Sequence, residues 1–210
     1  MQNQKVQKVQ KNQKNQKSLR ILVECAIMVA LAAVLSEFKI SAPFGGSVTV
    51  FSMIPVILIG LRHGPMWGFS TAFVYSMTQF LFDASKMSGW GLAGPKAFIL
   101  CTLFDYIIAF TVLGATGFFK FAIVQTPARG KKIIYASIAT LFVCFLRYLS
   151  HVFVGAVLWY ELYKESIAEG AWLYSITYNF TYMLPETIIT LIAAPAVVTV
   201  LVVVGRAREK

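Results

Sequence analysis

Apolar residues along the chain fall into six segments, which are separated by short polar or glycine-containing stretches. An α-helix needs about 20 mostly apolar residues to cross the roughly 30 Å hydrocarbon core of a bilayer. The pattern therefore predicts an all-α integral membrane protein with six transmembrane helices. The segments are approximately Leu19–Leu35, Val48–Leu61, Met66–Phe82, Pro95–Phe119, Ile133–Val157 and Trp172–Val204.

Prolines mark two of these segments as irregular. The second segment is short and contains Pro55, and the last is long and contains Pro185 and Pro195. Because proline lacks a backbone N–H and clashes with the preceding turn, we expect short or kinked helices at both places.

Composition agrees with a membrane protein, since 58% of the 210 residues are hydrophobic and only 13% are charged. The formal net charge is +10, and much of it lies in residues 1–18, a low-complexity stretch of Gln, Asn and Lys. Such a stretch cannot form a core. We predict a disordered basic tail over 1–18, near anionic membrane lipid, and a six-helix membrane domain over 19–210. This placement of charge does not favour nucleic-acid binding.

Basic residues also mark alternate loops. Arg62, the four basic residues between Lys120 and Lys132, and the C-terminal Arg206–Lys210 fall on the same side as the tail. Cytoplasmic loops carry the excess of Lys and Arg, so both termini are predicted to be cytoplasmic in a multi-pass protein of the cell membrane. The predicted external loops are 36–47, 83–94 and 158–171.

Several polar side chains interrupt the apolar pattern between Phe145 and Glu186. A charged group at the centre of a bilayer costs on the order of 2.5–3.5 kcal/mol, so such groups usually serve a function. Here they alternate with aromatic residues, which is typical of a small-molecule pocket. The polar residues are Arg147, His151, Asn179 and Glu186, and the aromatic ones include Tyr148, Trp159, Trp172, Tyr174, Tyr178 and Tyr182.

Arg147, His151 and Gly155 are four residues apart and share one helix face. The glycine allows close approach of another helix or of a ligand. Arg147 has two candidate partners, Asp105 and Glu186. For His151 we favour contact with a ligand, because a neutral imidazole donates and accepts hydrogen bonds. Asp105 needs either Arg147 or a cationic or amino-bearing ligand as its partner.

Aromatic and amide side chains complete the candidate binding site. Tyr106 offers a hydroxyl and an aromatic face. Trp90 and Trp159 either stack against an aromatic cation or anchor the protein at the membrane interface. Tyr174 is the one member of a stripe at every fourth residue that we expect at a ligand. Asn179 either contacts the ligand or joins two helices.

The first apolar segment carries a face of small residues, formed by Ala26, Ala30 and Ala33 with Ala32 beside them. Small residues allow close approach of another helix in lipid. This face either packs inside the protein or docks a separate membrane subunit.

Motifs for catalysis and nucleotide hydrolysis are absent from the sequence. It has no GxxxxGK[ST], no HExxH and no GxSxG, and its three cysteines show no metal-ligand spacing. We therefore expect a protein that is not an enzyme, that has no cofactor or metal, and that does not hydrolyse ATP itself.

These residues resemble those of a known family, the thiamine-specific substrate-binding (S) components of energy-coupling factor (ECF) vitamin transporters. The resemblance covers about residues 19–205. Its most specific parts are Arg147–His151 with Gly155, and Trp172–Asn179 running on to Glu186, while Leu103–Phe110 and Met53–Pro55 match more loosely.

The resemblance implies a six-helix fold that binds thiamine near the external face and works with a transmembrane coupling subunit and two ATPase subunits. Many members have glutamate at the position of Asp105. The family's first external loop can supply a tryptophan over the thiazolium ring, for which Phe44 is the candidate substitute here. The implied ligand residues are Asp105, Tyr106, His151, Trp159, Tyr174 and Asn179. From the residues themselves, we expect Arg147 and Glu186 to support the site.

Two other functions are compatible with the sequence. One is an S component for a different vitamin or precursor. The other is a small membrane enzyme that uses His151 and Asp105 as acid and base.

Overall fold

The structure is a computed structural model that describes residues 2–41, 46–92 and 94–209. Helices dominate these residues, and one short antiparallel hairpin follows the first helix. The helices are α1 (Gln2–Ser36), α2 (Ile54–His63), α3 (Pro65–Ala84), α4 (Gly94–Gln125), α5 (Arg129–Ser166), α6 (Ala171–Ile192) and α7 (Ala194–Glu209).

Two of the long helices change their winding along their length. A π-helical turn is wider than an α-helical one and is often found at functional sites. In α4 the π-helical segment is Thr102–Ile108, followed by a 3₁₀ segment at Val112–Phe119. In α5 the π-helical segment is Gly155–Trp159, and the helix ends in a 3₁₀ turn at Lys164–Ser166. A further 3₁₀ turn, Met87–Trp90, lies between α3 and α4.

Four helical stretches among the described residues are long and apolar enough to cross a membrane. They are Gln10–Ser36, Gly94–Gln125, Arg129–Ser166 and Ala171–Gly205, and α2 is a shorter apolar helix. Large apolar side chains such as Ile27, Phe121 and Ile192 are exposed on the outside of the bundle. The prediction of an all-α membrane protein is confirmed at this level.

The basic tail differs from the prediction of a disordered arm. Helix α1 already begins at Gln2, so the described part of residues 1–18 is helical. Residues 11–20 are exposed throughout, so packing does not explain this helix. Gln and Lys have good helix propensity, and neither glycine nor proline interrupts the first 20 residues.

Helix α2 lies in the core, where all of its residues from Pro55 to Leu61 are buried. It packs with α3 and the 3₁₀ part of α4, and glycines bring the last two together. A Cβ atom on Gly114 would lie 2.4 Å from the backbone nitrogen of Phe69, and one on Gly117 would lie 2.4 Å from that of Pro65. Only glycine permits backbones to approach this closely.

The prolines fall where the helices begin or break. Pro55 lies in the first turn of α2, where its missing N–H costs no hydrogen bond. Pro185 lies inside α6, which ends at Ile192. Ala193 forms a turn, and Pro195 then lies in the first turn of α7. The predicted irregularity of the last apolar segment therefore takes the form of two consecutive helices.

A β-hairpin occupies the predicted first external loop. Strands β1 (Lys39–Ser41) and β2 (Ser47–Thr49) are antiparallel, with Lys39 opposite Thr49 and Ser41 opposite Ser47. The prediction that the second apolar segment is helical from its start at Val48 is therefore wrong. Val48 is instead the buried residue of β2. Phe44, the candidate substitute for a loop tryptophan, lies outside the described residues.

Candidate functional site

A cavity of about 540 Å³ opens at the end of the bundle where the three predicted external loops meet. This volume is typical of small-molecule sites. The hairpin contributes Lys39, Gly46, Ser47 and Thr49 to its wall. The other lining residues are Gln79, Asp83, Lys86, Trp90, Asp105, Tyr106, Phe110, Arg147, His151, Gly155, Trp159, Tyr163, Tyr174, Tyr178, Asn179 and Tyr182.

The two π-helical segments carry three of the predicted site residues. Asp105 and Tyr106 lie in the π-helical part of α4, and Trp159 closes the π-helical part of α5. The Ser150 hydroxyl donates to the Phe104 carbonyl over 2.6 Å and so joins α5 to this part of α4. All three side chains line the cavity.

Asp105 is held by two donors from α5. Its Oδ1 lies 2.8 Å from His151 Nδ1, and its Oδ2 accepts a hydrogen bond of 2.8 Å from the Trp159 indole nitrogen. Neither contact involves Arg147, so the predicted Asp105–Arg147 alternative is wrong. The carboxylate fixes the orientation of the imidazole. His151 Nε2 is buried and has no hydrogen-bond partner among the described residues, which leaves it available to a ligand.

Arg147 pairs with Glu186, the other partner considered from the sequence. The Arg147 guanidinium donates to Glu186 Oε2 over 2.7 Å, and the Glu186 side chain is only 1% exposed. Thr49 of β2 also donates to Glu186. The guanidinium carbon lies 4.4 Å from the centre of the Phe110 ring. A buried charge with fixed partners braces its surroundings, because removing one partner leaves the other uncompensated.

Asn179 joins α6 to α5. Its amide nitrogen donates to the Ser175 carbonyl over 2.8 Å and lies 3.3 Å from the His151 carbonyl, while its oxygen accepts from the Tyr182 hydroxyl. The Asn179 amide therefore contributes to the contact between α5 and α6, and Asn179 also lines the cavity. A Cβ on Gly155 would lie 2.1 Å from Ser175 Oγ, so this glycine admits the neighbouring helix.

Aromatic rings form two walls of the cavity. Trp159 contacts Trp90 edge to face with ring centres 6.1 Å apart, and it stacks with Tyr163 at 6.5 Å. On α6, Tyr174 and Tyr178 are stacked with centres 5.6 Å apart. These are the flat surfaces against which an aromatic cation can lie.

Sequence reasoning missed several lining residues. Of the stripe at every fourth position it selected Tyr174 alone, yet Tyr178 and Tyr182 also line the cavity. The four-residue spacing was the available signal, because it places all three on one face of α6. Asp83 and Lys86 also line the cavity, and no local sequence signal indicates this.

The pair formed by Asp83 and Lys86 is linked to the site through Tyr106. Lys86 Nζ lies 2.7 Å from Asp83 Oδ1, and the Tyr106 hydroxyl donates to Asp83 Oδ2 over 3.2 Å. The hydrogen bond to Asp83 is the main reason why the pKa of the Lys86 ammonium is raised.

The small-residue face of α1 is divided between the core and the surface. Ala32 is fully buried and Ala33 is partly buried, whereas Ala26 and Ala30 are exposed. Internal packing therefore accounts for Ala32 and does not account for Ala26 and Ala30.

The side chain of His63, at the end of α2, is buried. Its side chain is 5% exposed, and its Nε2 lies 3.1 Å from Glu24 of α1. Arg62 also pairs with Glu24. This contact could not be predicted from the sequence because Glu24 and the Arg62–His63 pair lie on different helices.

Comparisons with known proteins agree with one another. The chain matches the profile of the family described as Thiamine transporter protein (Thia_YuaJ) over residues 22–204. It is 35% identical over 174 residues to "Thiamine transporter ThiT" of Bacillus subtilis (strain 168), which covers 80% of this chain and 84% of that protein. It is 25% identical over 184 residues to "Thiamine transporter ThiT" of Lacticaseibacillus paracasei, with 86% and 87% covered.

A solved structure of ThiT from Listeria monocytogenes has a similar fold. Its TM-score is 0.69 at 25% sequence identity, and the match covers 88% of this chain and 96% of that one. The likeness therefore spans most of both chains.

Proposed function

The chain belongs to the thiamine transporter protein family Thia_YuaJ, and on this basis we propose that it is the thiamine-binding S component of an ECF transporter. It captures thiamine from outside the cell and does no covalent chemistry on it. The homologues named as thiamine transporters support the choice of ligand.

The observation that carries the proposal is the assembly of Asp105, His151 and Trp159 in the wall of the cavity. Thiamine has a permanent positive charge, an aminopyrimidine and a hydroxyl. Aromatic planes can pack against the two rings of thiamine, and His151 Nε2 and the tyrosine hydroxyls can form hydrogen bonds with its polar groups. Asp105 holds His151 and Trp159 in place for these contacts. With His151 Nδ1 directed at Asp105, a neutral imidazole accepts a hydrogen bond at Nε2, which suits an amino group.

We also propose a topology of six membrane-spanning helical segments with both termini in the cytoplasm, in a multi-pass protein of the cell membrane. The basic residues of the tail, of the loop before α5 and of the C-terminus support this orientation. It places the cavity mouth outside, where the vitamin is captured.

Delivery into the cell requires partners, because the sequence has no phosphate-binding loop of its own. We propose that a transmembrane coupling subunit and two ATPase subunits supply this step. The exposed Ala26 and Ala30, with Ala33 beside them, form the docking face for the coupling subunit.

The proposal is tested by uptake of radiolabelled thiamine into vesicles that contain this chain with its coupling and ATPase subunits. The account predicts uptake that needs both ATP and this chain. Equal uptake without this chain would contradict it. Binding of thiamine without any ATP-dependent uptake would support thiamine as the ligand and would contradict a role in transport.

A further inference from the structure

Three carboxylates lie in or beside the cavity among the described residues, and they differ in what neutralises them. Asp105 uses both oxygens, one with His151 and one with Trp159. Glu186 is paired with Arg147 and is 1% exposed. Both are therefore occupied by groups that the fold holds in place.

The third carboxylate, Asp83, has a different kind of partner. Its Oδ2 accepts a hydrogen bond from the Tyr106 hydroxyl inside the cavity, and its Oδ1 accepts one from Lys86. The Lys86 side chain is 58% exposed, whereas that of Asp83 is 21% exposed. An exposed lysine three residues away contributes little to stability and is easily displaced.

The surroundings of Asp83 suit a positively charged aromatic ring. Trp90, Trp159 and Tyr106 line the same cavity as Asp83, so the cavity wall combines aromatic rings with this carboxylate. Cation–π attraction and a counter-ion act together on such a ring, and both strengthen as water is excluded.

We propose that Asp83 is the counter-ion for the positive ring of the ligand, and that Lys86 neutralises Asp83 until the ligand replaces it. The inference rests on the proposed function and adds to it a residue that determines charge specificity. Tyr106 acts as the positioning residue, because its hydroxyl fixes the orientation of the Asp83 carboxylate.

The test compares thiamine with a neutral isostere in which a thiophene replaces the thiazolium ring. Binding of both is measured by calorimetry on the purified full-length protein in detergent. Asp83→Asn keeps an acceptor for Tyr106, and it is expected to weaken thiamine binding about tenfold and isostere binding less than about twofold. Lys86→Met is expected to tighten thiamine binding about threefold.

The double variant Asp83→Asn, Lys86→Met distinguishes the displacement of Lys86 from Asp83 from a general effect of removing the lysine charge. In the Asp83→Asn background, Lys86→Met is expected to change thiamine binding no further, because its gain depends on freeing Asp83. Lys164→Met is the matched control, since Lys164 forms the same kind of pair with Glu161, at 2.9 Å, and does not line the cavity. It is expected to leave both affinities unchanged.

Three results would overturn the inference: no loss of thiamine affinity in Asp83→Asn, an equal loss for both ligands, or a gain from Lys86→Met that persists without Asp83. A wild-type protein that is folded and does not bind thiamine would instead overturn the proposed function itself.

Discussion

Asp105 owes its position to residues that are remote in sequence. His151 is 46 residues away and Trp159 is 54 residues away. Each of the three could be selected from the sequence because a polar or amphipathic group in an apolar helix is unusual. Their pairing could not be predicted from the sequence, because it depends on how α4 packs on α5. It also depends on the π-helical segments, which change the direction in which later side chains of each helix point.

The hydrogen bond from Trp159 to Asp105 gives a residue-scale prediction. Trp159→Phe keeps an aromatic face and removes the indole N–H, so the carboxylate loses one of its two donors. Thiamine affinity is expected to fall about tenfold in calorimetry, in line with a hydrogen bond to a charged group.

Trp172→Phe serves as the control for this change. Trp172 is 56% exposed and does not line the cavity, so its replacement is expected to leave the affinity unchanged. Equal affinities for the wild type and Trp159→Phe would show that the Trp159–Asp105 contact does not support the site.

Elements were easier to predict than their contacts. The long apolar segments appear as helices because their composition demands it, whereas the β-hairpin was missed because its strands have only three residues each. Such strands lack the alternation over several residues that indicates a strand. The close contact of α5 with α6 could not be predicted from the sequence, because Gly155 permits the close approach of either a helix or a ligand.

That contact between α5 and α6 predicts the effect of Gly155→Ala. The added Cβ would lie 2.1 Å from Ser175 Oγ, so the helices must move apart. Overpacking of this kind costs about 1–3 kcal/mol. We expect a lower Tm in detergent and weaker thiamine binding, because the same contact positions Asn179.

Gly130→Ala is the matched control on the same helix, since a Cβ there meets nothing within 4 Å. Its Tm is expected to stay the same or to rise slightly. Adding Ser175→Ala to Gly155→Ala is expected to restore part of the lost Tm. An unchanged Tm in Gly155→Ala alone would mean that the two helices are not tightly packed here.

The whole molecule combines a polar cavity at one end with an apolar exterior. Its apolar content and its distribution of basic residues were sufficient to predict a helical membrane protein. They could not predict that α1 continues through the tail, because a polar helix without packing partners depends on propensity alone.

The exposed part of the α1 small-residue face gives a prediction for the assembled transporter. The double substitution Ala26→Leu, Ala30→Leu would prevent the close approach of the coupling subunit to α1. ATP-dependent uptake of thiamine is expected to fall to background, while thiamine binding by the isolated protein stays unchanged.

Leu141→Trp is the control, because Leu141 is 48% exposed on α5, and we expect normal uptake from it. Undiminished uptake by the Ala26→Leu, Ala30→Leu variant would rule out this face as the docking surface.

Binding of thiamine in the cavity can be measured by titrating the purified protein with thiamine while following its intrinsic tryptophan fluorescence. Trp90 and Trp159 both line the cavity, so bound thiamine is expected to quench their emission strongly. The account predicts saturable quenching at sub-micromolar thiamine that is lost in His151→Ala. A folded wild-type protein whose fluorescence and heat of titration do not respond to thiamine would contradict it.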